Sequence, residues 1–391
     1  MSKQDTFKSK LKEWLRSSIP GYNLNLIKKD IRYAGKGLEI NPSVIIQYPE
    51  LCFLGNLVNI GASTVISNLG GVVIADRTTI GEQVLLGRTD SSFSDLPIII
   101  GRDCVIENGV QLQPGTIIED GSVVTQTGMT NSKTTPTQTK NRRFFVVSTG
   151  AAGSQSIAQT LSQHKEIHCE HEPNSLLIGL SSAYEYGTVD RCFVKQVLEA
   201  LYCKIEPSHT LLLGESDQKL GNLIPIIAEL LPEARFIWIK RHAHRFVESA
   251  TFKKHWYNEP EKIPFLLGQL WAKYRLDGSR NGVFAAEVWR QMEPLEKNAW
   301  FWQYWNSMIE AHLTQLPAER WLSVELETLS DALADIALFL EVPPTSFELI
   351  KTNVGTKNSE GVRYLKENLH KINLYCSEGL SKWYGSPFDE K

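Results

Sequence analysis

The chain has 391 residues, which is long for one ordinary domain, so its length predicts two domains. Hydrophobic residues make up 42% of it and charged residues 22%, a composition typical of soluble globular proteins. The formal net charge of -3 excludes a strongly basic protein whose overall field would attract nucleic acid or an anionic membrane.

The cysteines and the N-terminus indicate a cellular compartment. The six cysteines are scattered and include no CxxC pair, which predicts free thiols in a reducing environment. Residues 1–20 are polar and amphipathic and lack the apolar segment of a signal peptide. No run of about 18 apolar residues predicts a membrane span. We therefore expect a cytoplasmic protein in which residues 1–34 form a helical segment ahead of the first domain.

An aliphatic residue returns every six positions in the first third of the chain. The repeat comprises Ile74, Ile80, Leu86 and, after an irregular stretch, Ile100, Ile106, Leu112, Ile118 and Val124. A period of six fits a triangular coil whose three faces each take six residues, and such coils must stack to bury their apolar rows. Residues 35–130 thus resemble the hexapeptide-repeat left-handed β-helix. The alternative, a β-sandwich with period-two strands, would not keep this register.

Hexapeptide-repeat domains often belong to acyltransferases with a histidine base, so an acyltransferase carrying an accessory α/β domain is one alternative function. The first histidine in the chain is His164, which lies beyond the repeat. Asp90 and Asp95 would be poor replacements for an imidazole that titrates near neutral pH. We therefore expect a non-catalytic scaffold that assembles the chain into a homotrimer.

The pattern changes after the repeat. Residues 131–141 are polar and rich in threonine, which predicts a linker. From residue 142 to residue 391, short apolar strands such as Phe144–Val147 and Phe236–Ile239 alternate with helical segments. This alternation predicts a parallel sheet covered by helices on both faces. The aromatic-rich segment Trp300–Leu316 predicts a long helix with one buried face.

A loop of small residues follows the first of these strands and leads into a helix. Its residues are Gly150, Ala151, Ala152, Gly153, Ser154, Gln155 and Ser156. Such a loop presents backbone N–H groups and a helix N-terminus to an anion, and small residues let a ligand approach closely. No lysine follows Gly153, so the loop is not a Walker A motif. A plain tight strand–helix turn is the alternative.

A second anion-binding pattern lies at the end of the strand Phe236–Ile239. Arg241 follows this strand, and Ser249 comes eight residues later in the next helix. A guanidinium and a hydroxyl so placed can converge on one anion. An ordinary basic strand end with a solvated serine is the alternative.

Together, the loop and the Arg241–Ser249 pair resemble the PAPS-dependent sulfotransferase family, whose members bind the 5′-phosphosulfate and the 3′-phosphate of the donor with such segments. Further matches at Glu319–Leu329 and Asp335–Val342 extend the resemblance over about residues 142–350. The resemblance implies a P-loop-like α/β fold, PAPS as donor, no metal, and transfer of a sulfonate group to an acceptor hydroxyl.

The chain departs from the family in the loop itself. Ala151 stands where many members carry a lysine or arginine that helps to neutralise the transferred group. Lys219 and Lys357 are substitutes on sequence grounds. The C-terminal 3′-phosphate segment of the family is only faintly matched at residues 351–357. A non-catalytic scaffold that binds PAP or PAPS is therefore a further alternative.

Sulfonate transfer benefits from a base beside the acceptor hydroxyl. Glu172-Pro173 resembles a segment that holds the base in carbohydrate sulfotransferases, which makes Glu172 the first candidate, His171 the second, and a carbohydrate the expected acceptor. By the same resemblance Glu215 lines the acceptor cleft, with an ordinary capping carboxylate as the alternative. A polar cluster without a catalytic role also fits residues 168–172. Their ligand types would suit a metal, but the family's chemistry needs none, so we expect no metal.

Overall fold

The structure, a computed structural model, describes residues 30–88, 96–131, 142–203, 212–258, 274–343, 347–352 and 359–385. Most of the expected N-terminal helical segment (residues 1–29) and of the linker (residues 132–141) lies outside this part of the chain. Two compact units are present. The first comprises Met1–Pro136 and Gly187–Lys204, and the second comprises Thr137–Tyr186 and Ile205–Lys391.

Short strands, β1 to β15, form the first unit. They span Tyr33–Ala34, Glu39–Ile40, Ile45–Ile46, Cys52–Leu54, Asn59–Ile60, Val65–Ser67, Val72–Ile74, Thr79–Ile80, Leu85–Gly87, Ile98–Ile100, Val105–Ile106, Gln111–Leu112, Ile117–Ile118, Ser122–Thr125 and Gly128–Asn131. The strand orders are β1-β4-β7-β10-β13, β2-β5-β8-β11-β14-β15 and β3-β6-β9-β12. From β1 to β14, successive strands join different sheets, so the chain visits three faces in turn. Pairing is parallel within these sheets except between β14 and β15, which are antiparallel.

The six-residue repeat accounts for this arrangement. Its aliphatic residues align in the strand register, for example Ile60 with Ile80, Ile80 with Ile106, and Ile106 with Val124. Each of these four side chains is at most 6% exposed. Because three successive repeats supply one strand to each sheet, every apolar row is buried by the coil above and the coil below. The predicted parallel β-helix is therefore confirmed.

Polar side chains at the corners of the β-helix form hydrogen bonds between adjacent coils. The Asp76 carboxylate accepts a hydrogen bond of 2.7 Å from the Asn56 backbone N–H, and the Asn108 side chain accepts one of 2.8 Å from the N–H of Glu82. At Gly81 an added Cβ would lie 2.5 Å from the Asn108 side-chain oxygen, so this corner has room only for glycine. A small residue after the aliphatic, as at Gly81 after Ile80 and Gly101 after Ile100, thus allows adjacent coils to approach.

The second unit contains the parallel sheet that the sequence predicts. Its strands are β16 (Arg142–Ser148), β17 (Ile167–His171), β18 (Leu212–Ser216), β19 (Arg235–Lys240) and β20 (Trp321–Glu325), in the order β17-β18-β16-β19-β20. All four pairings are parallel. The chain moves from β16 to one side of the sheet and returns to add β19 on the other side. Ligands of open α/β sheets bind beyond the strand ends at such a reversal.

The α-helices described after β15 are numbered α1 to α10. They span Ser154–Leu161, Leu177–Glu185, Arg191–Tyr202, Ile224–Leu230, Ala243–Glu248, Ala286–Gln291, Pro294–Leu313, Leu333–Phe339, Ser359–Glu367 and Leu369–Tyr384. Helix α3 belongs to the first unit, where the Phe193 ring lies 5.5 Å from that of Phe53. Among the described residues, no helix is long and apolar enough to cross a membrane.

Helix α7 contains the aromatic run predicted to form a buried helix. It begins at Pro294, earlier than expected, because Glu293 and Glu296 form a capping box there. Trp302 and Trp305 are buried, and their indole N–H groups donate to the backbone carbonyls of Arg241 (2.8 Å) and Gln218 (3.0 Å). The helix therefore fixes two segments that follow strands of the sheet.

Candidate functional site

A cavity of about 590 Å³ lies at the carboxyl ends of the second unit's strands. This volume is within the range of small-molecule sites. Its lining comprises Gly150, Ala151, Gly153, Ser154, Gln155, Ser156, His171, Glu172, Gln218, Arg241, Ser249, Lys253, Lys254, His255, Trp256, Tyr257, Arg275, Leu326, Leu329, Leu349, Ile350, Lys351 and Thr352. The small-residue loop, the Arg241–Ser249 pair and both candidate bases therefore meet in one place.

The loop after β16 takes a backbone path that favours glycine. Gly150 has a φ of 75° and Gly153 a φ of 77°, and Gly153 immediately precedes α1. An added Cβ at Gly150 would lie 1.8 Å from the side-chain oxygen of Gln218. The loop is thus closely packed against the segment after β18, and its N–H groups border the cavity together with the N-terminus of α1. Ala152 is fully buried and lies outside the cavity lining.

Arg241 joins the loop to the end of β19. Its Nη1 donates to the carbonyl of Ala151, and its Nε is buried with no hydrogen-bond partner among the described residues. Burial lowers the pKa of Arg241, although Glu327 and Glu248 oppose this effect. An arginine remains charged under such conditions, so this group brings a positive charge to the cavity lining.

The two serines of the predicted site differ in their surroundings. Ser249, only 7% exposed, begins a π-helical turn, Ser249–Lys253, and lines the cavity with Arg241. The Ser156 hydroxyl accepts a hydrogen bond of 3.1 Å from the N–H of Thr352 and lies 2.9 Å from its hydroxyl. Ser156 thus anchors the Lys351–Thr352 segment at the cavity edge. Lys357 lies outside the described residues.

His171 is the last residue of β17. Its Nδ1 lies 3.2 Å from the backbone carbonyl of Ser216. Because a carbonyl oxygen only accepts, this contact requires the proton on Nδ1 and leaves the lone pair of the neutral ring on Nε2. Burial lowers the pKa of His171; Glu172 and the Ser216 carbonyl oppose this, while Lys219 and Lys254 add to it. The ring is therefore neutral at pH 7.

Glu172 carries a carboxylate with several partners. Its Oε1 accepts a hydrogen bond of 3.0 Å from the Gln218 side chain and lies 3.3 Å from Nζ of Lys219. Burial acts to raise the pKa of Glu172, but Lys219, His171 and the hydrogen bond from Gln218 outweigh it and hold the pKa below its ordinary value. The group is therefore ionised and held in an ion pair, and its φ of 47° marks an unusual turn at the strand end.

Lys219, one of the cations suggested from the sequence, is outside the cavity lining. Its Nζ lies 2.9 Å from Oδ1 of Asp217, and the two side chains are 7% and 0% exposed. Burial raises the pKa of Asp217 to about 6, against the opposing charge of Lys219. Lys219 therefore bridges two carboxylates. Its positive charge is paired with them and does not serve an anionic group bound in the cavity.

Glu215 also lies outside the cavity lining. It is 6% exposed on β18, and the Asn174 side-chain amide donates to its Oε2 at 3.1 Å. The side chain is thus embedded in the unit next to the sheet.

Several cavity residues were not singled out from the sequence. Lys253, Lys254, His255 and Trp256 follow Ser249 closely, and Arg275 comes from a segment after a gap in the described residues. The side chain of Asn298 on α7 holds this turn by donating to the Trp256 carbonyl at 3.1 Å. The basic and aromatic run directly after the arginine–serine pattern was the available signal.

A metal centre has no support in the described ranges, where no group of three histidine, cysteine, aspartate or glutamate residues could hold an ion. His168 and Glu170 lie 3.8 Å apart, and both are exposed at the sheet edge.

No protein-family profile matches this chain. Two curated proteins match it over 97 residues at 33% identity, namely WcaF of Escherichia coli and WcaF of Shigella flexneri, both named for acetyl transfer in colanic acid biosynthesis. The match covers 23% of this chain and 53% of each relative. The chain thus spans about half the length of the curated relatives it matches.

Solved structures resemble each part of the chain at low identity. A sulfotransferase from Alicyclobacillus acidocaldarius is 15% identical, with a TM-score of 0.37, and the match covers 60% of this chain and 96% of the other. The sulfotransferase domain of the curacin biosynthetic pathway is 16% identical, with a TM-score of 0.34, and the match covers 57% of this chain and 83% of the other. The hexapeptide-repeat acetyltransferase VCA0836 of Vibrio cholerae is 19% identical, with a TM-score of 0.25, and the match covers 28% of this chain and 65% of the other.

Proposed function

We propose that this chain is a sulfotransferase that binds PAPS in the cavity at the ends of β16, β17 and β19 and transfers its sulfonate group to an acceptor hydroxyl. The observation that carries the proposal is the convergence of the small-residue loop, the Arg241–Ser249 pair and His171 on one cavity of about 590 Å³. These features come from separate strand ends, so their meeting is a property of the folded chain.

The cavity offers separate groups for the two ends of the donor. The N–H groups of the loop Gly150–Ser156 and the N-terminus of α1 suit the 5′-phosphosulfate. Arg241 and Ser249 suit the 3′-phosphate, because a guanidinium and a hydroxyl together can donate several hydrogen bonds to it. In the reaction the acceptor oxygen attacks sulfur, the bond from sulfur to PAP breaks, and the acceptor proton passes to a base.

His171 is better suited than Glu172 to take that proton. Its Nδ1 donates to the Ser216 carbonyl, which leaves Nε2 as the accepting atom, and its lowered pKa keeps the ring neutral. Glu172 instead holds Lys219 and accepts from Gln218. We therefore propose His171 as the base. The neighbouring Glu172 positions Gln218 and the segment after β18.

The acceptor class and the assembly are proposals of the same kind. We propose a carbohydrate hydroxyl as acceptor, because Glu172-Pro173 resembles a segment of carbohydrate sulfotransferases, with the neighbouring His171 as the base in this chain. We assign the β-helix to trimer formation, on the resemblance of its six-residue repeat to the hexapeptide-repeat domains of trimeric acyltransferases.

Calorimetry with PAP, the desulfonated product, tests the donor site. Wild type should bind PAP, and Arg241→Ala should weaken binding at least about tenfold because it removes a charge-assisted contact to phosphate. Arg245→Ala is the matched control, since Arg245 is an exposed arginine on α5 outside the cavity lining and should bind PAP as wild type does.

The same titration separates the alternatives. Absence of PAP binding by the wild-type chain would refute the sulfotransferase proposal. PAP binding without turnover of PAPS across a panel of sugars would instead indicate a non-catalytic nucleotide-binding scaffold.

A further inference from the structure

We infer that Arg275, stacked on the indole of Trp256, supplies the positive charge that binds the transferred sulfonate in place of a loop cation; this inference rests on the proposed sulfotransferase function. The loop itself carries no charged side chain from Gly150 to Ser156. The three outer oxygens of a sulfonate are negative, and a fixed cation beside them stabilises the transferring group. Another part of the cavity must therefore provide that charge.

Arg275 lines the cavity and has available donors. Its guanidinium carbon lies 3.4 Å from the centroid of the Trp256 ring and 6.0 Å from that of Tyr257. Within the described ranges, no hydrogen bond or ion pair engages the guanidinium nitrogens. Stacking on an aromatic face fixes the plane of the group while leaving its N–H donors free for an anion.

The stacked pair lies beside the loop. The outer edge of the Trp256 indole is 3.0 Å from the position that a Cβ on Gly150 would take. Gln218, which donates to Glu172, approaches Gly150 from the segment after β18. Trp256 therefore contacts the loop at Gly150 with its outer edge and Arg275 with its ring face, which links the Arg275 guanidinium to the loop through one indole.

The other cations of the cavity are less suited to this role. Arg241 donates to the Ala151 carbonyl and is assigned to the 3′-phosphate. Lys219 lies outside the cavity lining and is paired with Asp217 and Glu172. Lys253, Lys254 and Lys351 are exposed to solvent, so their charges are strongly hydrated and their long side chains are not fixed. Among the described lysines and arginines of the cavity lining, Arg275 therefore combines a plane fixed by stacking with guanidinium donors that no other role occupies.

The experiment compares the affinities for PAPS and PAP, because only PAPS carries the sulfonate. Arg275→Gln keeps a planar polar side chain but removes the charge. Its dissociation constant for PAPS should rise about tenfold, as for the loss of a hydrogen bond to a charged group, while that for PAP stays within about twofold of wild type. Arg275→Lys, which restores the charge without the planar fork, should recover part of the PAPS affinity.

Arg280→Gln is the control, since Arg280 stacks on Tyr186 at 4.2 Å and is not part of the cavity lining. Equal weakening of PAPS and PAP in Arg275→Gln, or no change in either, would overturn the assignment while leaving the donor site intact. Failure of wild type to bind PAP would instead remove the proposed function itself. Thermal unfolding of each variant checks that the fold is retained.

Discussion

Two adjacent residues at the end of β17 receive different chemical roles from their surroundings. The imidazole of His171 has one nitrogen engaged by the Ser216 carbonyl, and burial lowers its pKa. The Glu172 carboxylate is paired with Lys219, which helps to hold its pKa below the ordinary value. From the sequence, Glu172 is the first candidate for the base and His171 the second. Their partners come from the segment after β18, far away in the chain.

The pH dependence of PAP formation from PAPS distinguishes these two bases. A base must be unprotonated, so the rate falls as the pH falls through its pKa. With His171 as base, kcat/KM should be flat above the ordinary histidine value of 6.5 and should decline at a lower pH, because its pKa is lowered. With Glu172 as base, the decline would come only below the ordinary glutamate value of 4.5.

His171→Ala should lower the rate about 10²–10⁴-fold and remove the decline assigned to His171, as expected for loss of a general base. Glu172→Gln is the companion variant and should keep the wild-type decline of kcat/KM at low pH. If Glu172→Gln lost this decline, the base would be Glu172.

At the scale of the element, the strand–loop–helix segment from β16 to α1 depends on close packing as well as on backbone conformation. Gly150 and Gly187 have similar φ values, 75° and 63°. A Cβ at Gly150 would meet the Gln218 side chain at 1.8 Å, whereas one at Gly187 would have no atom within 4 Å. Comparing substitutions at Gly150 and Gly187 therefore separates two effects, the backbone strain of a non-glycine residue at positive φ and the displacement of the loop by a steric clash.

Gly150→Ala should therefore reduce PAP affinity at least about tenfold, because the loop or Gln218 must shift and the N–H groups lose their alignment. Gly187→Ala carries comparable backbone strain and should leave PAP affinity unchanged. Calorimetry on both variants measures the difference. Equal affinities for the two would show that the loop tolerates the displacement and that its geometry does not set donor binding.

In the molecule as a whole, the β-helix and the α/β unit differ in the candidate catalytic residues that they contain. None of the nine histidines lies in residues 1–141, so the repeat lacks the base that hexapeptide acyltransferases use. Asp90 and Asp95, the carboxylates weighed as replacements, lie outside the described residues. The cavity with perturbed titrating groups is in the second unit instead. This division supports an assembling role for the repeat.

On the scaffold role proposed for the β-helix, the full chain should sediment as a closed, symmetric trimer. Analytical ultracentrifugation over a range of concentrations provides the measurement, with three times the mass of one chain as the expected result. A mass equal to one chain at all concentrations would contradict the scaffold role.

Local sequence patterns determined the architecture of both units. The six-residue spacing from Ile74 to Val124 specified which side chains face inward, because each coil must bury the same row as its neighbours. Alternation of apolar strands and helices from residue 142 specified a parallel sheet, and the Gly150–Ser156 loop was recognisable because a left-handed turn before a helix requires small residues. Such features depend on neighbours within a few positions in the chain.

The identity of the side chains that share the cavity, and their ion pairs and stacking, followed from the folded chain. It placed Arg275 on Trp256 beside the loop, engaged Lys219 with two carboxylates, and located Glu215 outside the cavity lining. It also grouped helix α3 with the first unit. The physical reason is that burial, ion pairing and stacking depend on residues brought together from separate strand ends, and no spacing along the chain encodes those distances.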